Sequence, residues 1–276
     1  MPDSEDGFEK GEVMYLLTID VGNTHIKMNL VSEEDKEIPG FRLTTKTPRT
    51  SDEFGLCIRE FLEANNLSKE NIEDVIISSV VPKIMYSLTS SIVKYLQKEP
   101  IIIGPGIRTG ISIRTDNPKE VGADRIVDCA AAFYTYHRSC IIVDFGTATT
   151  FDYVSDDGVF QYTVIAPGLE TGATALTSQT AKLPEIEIRK PESILVKNTI
   201  AGMQAGVVYG YIGLVEYIIA RMKKELKDES ALVVATGGLG RVIADETKLI
   251  DIYEPDLAGK GMAIIYRRNK EKTQTE

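Results

Sequence analysis

The sequence predicts an α/β protein whose two halves share one design, and three observations carry that prediction. Apolar runs of strand composition alternate with helical patterns of crossover length. The stretch "YLLTIDVGNTHIKMNLVSEED" returns in the second half as "CIIVDFGTATTFDYVSDDGVF". Glycine clusters stand directly after apolar strands, the place where ligands collect in α/β sheets.

Taken in order, residues 15–20, "YLLTID", form a strand, and "IKMNLV" alternates Ile26, Met28 and Leu30 with polar neighbours after the GNT turn, which gives strand, turn, strand. A helix opens at "TSDEFGLCIREFLEANNL". Thr50 and Glu53 have the spacing of a capping box, and Phe54, Ile58, Phe61 and Leu62 share one helical face. Strand "DVIISSVV", helix "KIMYSLTSSIVKYLQK" and strand "PIIIG" complete the first half. The second half opens on a helical "GADRIVDCAAAFYTYH" and repeats the hairpin, matching Asp20 with Asp144, Gly22 with Gly146 and Asn23 with Thr147, which we read as a duplication. The apolar "AGVVYGYIGLVEYIIARM" carries Glu216 and Arg221 and is expected to be a core helix, not a membrane span. "ALVVATGGLG" ends a further strand at Gly237 and Gly238, either as a third ligand turn or as an ordinary tight turn. The expected domains are 14–117 and 118–268, with 1–13 and 269–276 as flexible tails.

Composition narrows the function. A chain of 276 residues with 43% apolar residues can bury one large core or two modest ones. A net charge of −10 argues against a protein that grips nucleic acid, while leaving room for a small anionic ligand. Cys57, Cys129 and Cys140 lack metal-ligand spacing, and His25 and His137 are too few for a histidine-built metal site; surface or packing duty is expected of all five. Reduced thiols and an acidic, polar "MPDSEDGFEKGEV" in place of a secretory segment predict a cytoplasmic protein.

Glycines after a strand let backbone N–H groups approach phosphate oxygens, and Asn23, Thr24, Thr147 and Thr149 add neutral donors. Asp20 and Asp144 would repel that phosphate unless a cation such as Mg²⁺ lay between, and Lys27 offers further positive charge. Neither a P-loop nor a dinucleotide fingerprint fits, because both require a loop that opens a helix and these loops run into strands.

"DVGNT", "NPKEVGADR", "DFGTATT" and "ATGG", in this order and spacing, resemble the type III pantothenate kinases; "SSVVP", "IAPGL", "AKLP" and "KNT" also match, and the likeness runs from about Tyr15 to Arg268. The resemblance implies duplicated actin-like ATPase (ribonuclease H-like) domains, with mixed sheets flanked by helices and a cleft between them. It also implies ATP-dependent phosphorylation of pantothenate, the first step of coenzyme A biosynthesis. Residue by residue it makes Asp124 the catalytic base and puts Gly122, Ala123, Arg125, Thr115 and Thr199 at the pantothenate side. It assigns ATP to Asp20, Gly22, Asn23, Thr24, Lys27, Gly146, Thr147, Thr149, Gly237 and Gly238, with Mg²⁺ at Asp20 and a monovalent cation, K⁺ or NH₄⁺, at Asp144. A homodimer is implied as well, with Gly202, Gly206 and Gly210 on one face of a long helix. From spacing alone, Asp124 and Arg125 read as a charge pair at a helix start; the resemblance reverses that reading.

Three departures touch the acceptor side. Thr115 replaces a tyrosine frequent in the family, "FQYTVIAPG" lacks a Gly-Gly, and "PDLAGKGM" differs after PDL. They leave open a kinase of another small hydroxyl acceptor, or a non-catalytic nucleotide-binding relative.

Overall fold

The computed structural model describes residues 13–32 and 37–273. The tail expectations for 1–12 and 274–276 lie outside the described residues. The chain divides into two compact units, one ending at Ile103 and the other beginning at Gly104.

The first unit contains β1 (Tyr15–Val21), β2 (His25–Ser32), β3 (Glu37–Thr44), α1 (Ser51–Ala64), β4 (Ile72–Ser79), α2 (Pro82–Leu96) and β5 (Ile101–Ile102). Its sheet runs β3-β2-β1-β4-β5. The β1–β2 and β2–β3 pairs are antiparallel, whereas β1–β4 and β4–β5 are parallel. Central strands covered on both faces read as nearly continuous apolar runs, which is why "YLLTIDV" and "DVIISS" are legible as strands. The predicted capping box is present at α1: Thr50 Oγ1 accepts from the Glu53 N–H at 3.3 Å, and the Glu53 carboxylate accepts from the Thr50 N–H at 2.7 Å. A cap of this kind stabilises a helix by about 1 kcal/mol. Phe54, Ile58, Phe61 and Leu62 then pack with Leu88, Ile92 and Leu96 of α2 over Leu17, Ile19, Met28 and Ile77 of the sheet.

The second unit holds β6 (Ser112–Ile113), α3 (Ala123–Tyr136), β7 (Cys140–Phe145), β8 (Ala148–Val154), β9 (Val159–Pro167), α4 (Leu169–Ser178), α5 (Thr199–Leu226), β10 (Leu232–Thr236), α6 (Arg241–Ala244), β11 (Ile252–Tyr253) and α7 (Leu257–Thr273). Its sheet runs β11-β10-β7-β8-β9-β6. Taken from β9 to β11, this repeats the first sheet strand for strand and with the same parallel and antiparallel pairings. The duplication expected from the hairpin motif is therefore present in the topology. β6 is an addition that pairs with β9, and the second unit begins at Gly104, so residues 104–117 fall within it and the division lies earlier than 117/118.

Of the expected tail from 269 onward, residues 269–273 instead continue α7. α7 and α3 cover one sheet face, where Cys129, Ala131, Ile142, Val154, Phe160 and Leu257 are buried together. Their backbones come very close: a Cβ on Gly261 would crowd the backbone and side chain of Val127. The other face is covered by α5, whose buried stripe of Val208, Tyr211, Val215, Ile219 and Met222 packs on Ile141, Val143 and Phe151. α5 is long and apolar enough to cross a membrane, yet this stripe makes it a core helix, as expected. His137 ends α3 in the left-handed conformation, its N–H donating to Phe133 O at 2.9 Å.

Candidate active site

Asp20 lies near the C-terminal end of β1, directly opposite Lys27 on β2 and beside Ser78 on β4. Beyond it the chain turns at Gly22, whose N–H donates to His25 O at 3.0 Å. Thr45, just past β3, straps this tip. Its N–H donates to Thr24 O at 2.9 Å and its hydroxyl to Gly22 O at 2.7 Å. Asn23 is exposed at the apex, Thr24 is half-buried, and His25 is exposed, in keeping with its expected surface duty.

Asp144 occupies the equivalent place on β7, flanked by Thr150 on β8 and Thr236 on β10. The second tip is one residue shorter: the Gly146 N–H donates to Ala148 O at 3.1 Å. Gly146 and Thr147 are exposed. The start of α4 holds the loop, because the Gly168 N–H at 3.1 Å and the Thr171 hydroxyl at 2.7 Å both donate to Thr147 O. Thr149 behaves differently from the expectation. It is fully buried, and its hydroxyl is bonded at 2.5 Å to Tyr211, which also donates to Pro167 O. The period-2 alternation of β8 turns Thr149 toward the α5 core, so it braces the loop from beneath and presents no donor at the tip.

The third turn leans on the second loop. Gly237 has φ +97°, and a Cβ there would lie 2.6 Å from Phe145 O. Tyr253 donates to Gly237 O at 2.5 Å and fixes this turn, while Gly238 is exposed.

α3 carries the remaining chemistry. Gly122 is its N-cap and provides no side-chain cap, Ala123 opens the helix, and Asp124 accepts the Arg125 N–H at 2.8 Å. Burial pushes the Asp124 carboxyl above its ordinary range, against the opposing pull of that N–H and of the Arg125 charge; Asp152 acts in the same direction as burial. The Arg125 fork is not directed to solvent. Its Nε donates to Asp152 at 2.9 Å, and Nη2 bonds both Asp152 and Thr163. Asp152 is a buried carboxylate that sequence reasoning passed over; an aspartate amid the apolar alternation of "TFDYV" was the available sign. Thr115 is half-buried just past β6, and its buried Oγ1 meets no hydrogen-bond partner among the described residues. Thr199 is exposed and opens α5, capped by Asn198, whose side chain accepts the Ala201 N–H at 2.9 Å.

Among the described residues no group of three or more His, Cys, Asp or Glu side chains is arranged so that it could hold a metal ion. A single carboxylate beside neutral donors suits a cation that keeps several waters and takes phosphate oxygens as ligands. The cysteines are free, and burial pushes the Cys140 thiol up to about 12 and the Cys129 thiol higher than usual, which removes both as nucleophiles.

The family model for type III pantothenate kinases matches residues 16–221. A type III pantothenate kinase of Agathobacter rectalis is 50% identical over 93% of this chain and 98% of its own length. One from Bifidobacterium adolescentis is 51% identical over 93% and 99%. Among solved structures, the activator of 2-hydroxyisocaproyl-CoA dehydratase from Clostridium difficile, with bound ADPNP, aligns at TM-score 0.51 and 14% identity over 95% of this chain and 98% of that one, a likeness of the actin-like fold alone. With the duplicated sheets, the strand-end aspartates and the GADR helix in place, the chain belongs to the type III pantothenate kinases, and its reaction is the ATP-dependent phosphorylation of pantothenate in coenzyme A biosynthesis.

Proposed function

We propose that Asp124 accepts the proton of the pantothenate hydroxyl as the γ-phosphoryl group is transferred. The observation that carries this reading is the half-buried Asp124 carboxyl at the first turn of α3, shifted by desolvation toward the range where a carboxylate is an effective base. Gly122, Ala123 and Thr115 form the acceptor side around it, and the unmet Thr115 hydroxyl suits a small polar ligand. Thr199 belongs to this side by its place at the start of α5. Arg125, whose Nε and Nη2 are held by Asp152 and Thr163, acts here through its charge near Asp124.

Backbone and neutral donors of Gly22, Asn23 and Thr24 on one hairpin, and of Gly146 and Thr147 on the other, bind phosphate oxygens; Gly237 and Gly238 let the backbone approach the adenosine. Asp20 would hold Mg²⁺, with Lys27 opposite it on β2. When bound, Mg²⁺ supplies charge neutralisation on the phosphates. Opposite Asp144 the register puts the neutral Thr150 in the place that Lys27 takes opposite Asp20. That difference supports a monovalent cation, K⁺ or NH₄⁺, at Asp144.

A coupled ADP-release assay with a panel of acceptors tests these assignments. Release should require pantothenate and slow when Na⁺ replaces K⁺. Equal rates in both salts remove the cation from Asp144, and release with another acceptor redefines the pocket around Thr115.

The enzyme works in the cytoplasm as a homodimer in this reading. Gly206 and Gly210 of α5 meet open space, and Ile200 and Tyr217 are exposed on the same helix, which suits a second subunit. Light scattering should give twice the 30.4 kDa chain mass. A monomer mass at assay concentration removes the dimer.

A further inference from the structure

Asp152 stands on β8 on the face that α3 covers, among Ile142, Val154 and Phe160, with 2% of its side chain exposed. A carboxylate in such surroundings is costly unless it is paired and hydrogen-bonded. Its partner is Arg125, gripped through two nitrogens, and the same fork reaches Thr163, which lies directly opposite Asp152 in the β8–β9 register. The guanidinium also stands 5.4 Å from the centre of the Phe160 ring. Four contacts from two strands thus fix one side chain whose sequence neighbour is Asp124. Apart from Asp152, the carboxylate whose charge acts on Arg125 is Asp124 itself.

We propose that Asp152 is a positioning residue for phosphoryl transfer: by holding the Arg125 fork against β8 and β9 it keeps that guanidinium from pairing with Asp124, and so leaves Asp124 free to take the substrate proton. The inference rests on the reading of Asp124 as the base. The charges that act on Asp124 within this unit are Arg125 on α3, which favours the ionised carboxylate, and Asp152 on β8, which disfavours it. Asp128, one helical turn further along α3, is the neighbouring buried carboxylate on that helix.

Asp152→Asn keeps the shape of the side chain and removes its charge. Asp124 then loses a negative neighbour and gains Arg125 as a partner. Both changes lower its proton affinity, so the acid limb of the kcat–pH profile should move to lower pH while the plateau falls by about tenfold, the scale of a weakened general base. The KM for ATP should stay within about twofold of wild type, because the change acts on proton transfer and not on nucleotide binding. Thr163→Val, which removes one contact and no charge, should shift the limb in the same direction by less, and it decides the matter if Asp152→Asn does not fold. An acid limb at the wild-type position in whichever of these variants folds overturns the proposal, even if activity is generally reduced. Near-normal turnover in Asp124→Asn sinks the base reading instead, whereas an inactive Asp124→Asn beside a wild-type profile in Asp152→Asn sinks only the role given to Asp152.

Discussion

Asp124→Asn should lower kcat by on the order of a hundredfold or more while ATP binding remains close to wild type, the usual scale for loss of a general base. The substitution is nearly isosteric, and its carboxamide still offers an oxygen to the Arg125 N–H that Asp124 accepts at 2.8 Å. The first turn of α3 therefore keeps its geometry and only the proton-accepting group is lost. Single-turnover kinetics separate this from a binding defect. Turnover within a few-fold of wild type would remove Asp124 from its role.

Gly237→Ala is the second large effect, and it acts by force of geometry. An L-residue at φ +97° costs about 1–3 kcal/mol in backbone strain, and the new methyl group would meet Phe145 O at 2.6 Å and its C and N at 2.7 Å. Those are backbone atoms between Asp144 and Gly146, so relief requires the second phosphate loop to shift. We expect a stability loss of about 2–4 kcal/mol, combining the strain with overpacking, and a rise of about tenfold or more in the KM for ATP. Gly238→Ala is the control: nothing lies within 4 Å of its added Cβ and its φ is not left-handed, so it should melt like wild type. Equal melting temperatures and equal KM values in the two variants would defeat the argument.

How much of this was legible in the sequence depended on how local the determinant was. The α1 start needed only Thr50 and Glu53, three residues apart, and it is present with both reciprocal bonds. The hairpin tips were legible because Asp, Gly and small polar residues repeat in one short window, and the sheet topology carries the same repeat. β3 escaped notice because "EIPGFRLT" contains proline and glycine, which weaken a strand signal and are tolerated at a sheet edge such as this. β6 is two residues long and leaves no alternation to detect, so the division between the units was expected too late. At the site, the GADR motif that carries Asp124 was legible in the sequence. The partners that determine what it and its neighbours can do were not, since Thr45, Asp152 and Tyr211 reach their targets over 23, 27 and 62 residues of chain. Arg125 bonds Asp152 and Thr163, and Thr149 bonds Tyr211, contacts that no local spacing announces.

The close seating of α7 on α3 has a consequence for how the enzyme comes into being. α7 lies well beyond the segment 16–221 that matches the family, yet this helix backs the one that bears Asp124. A chain can complete both hairpins and still lack the helix that supports α3, so products that stop before Leu257 should emerge inert.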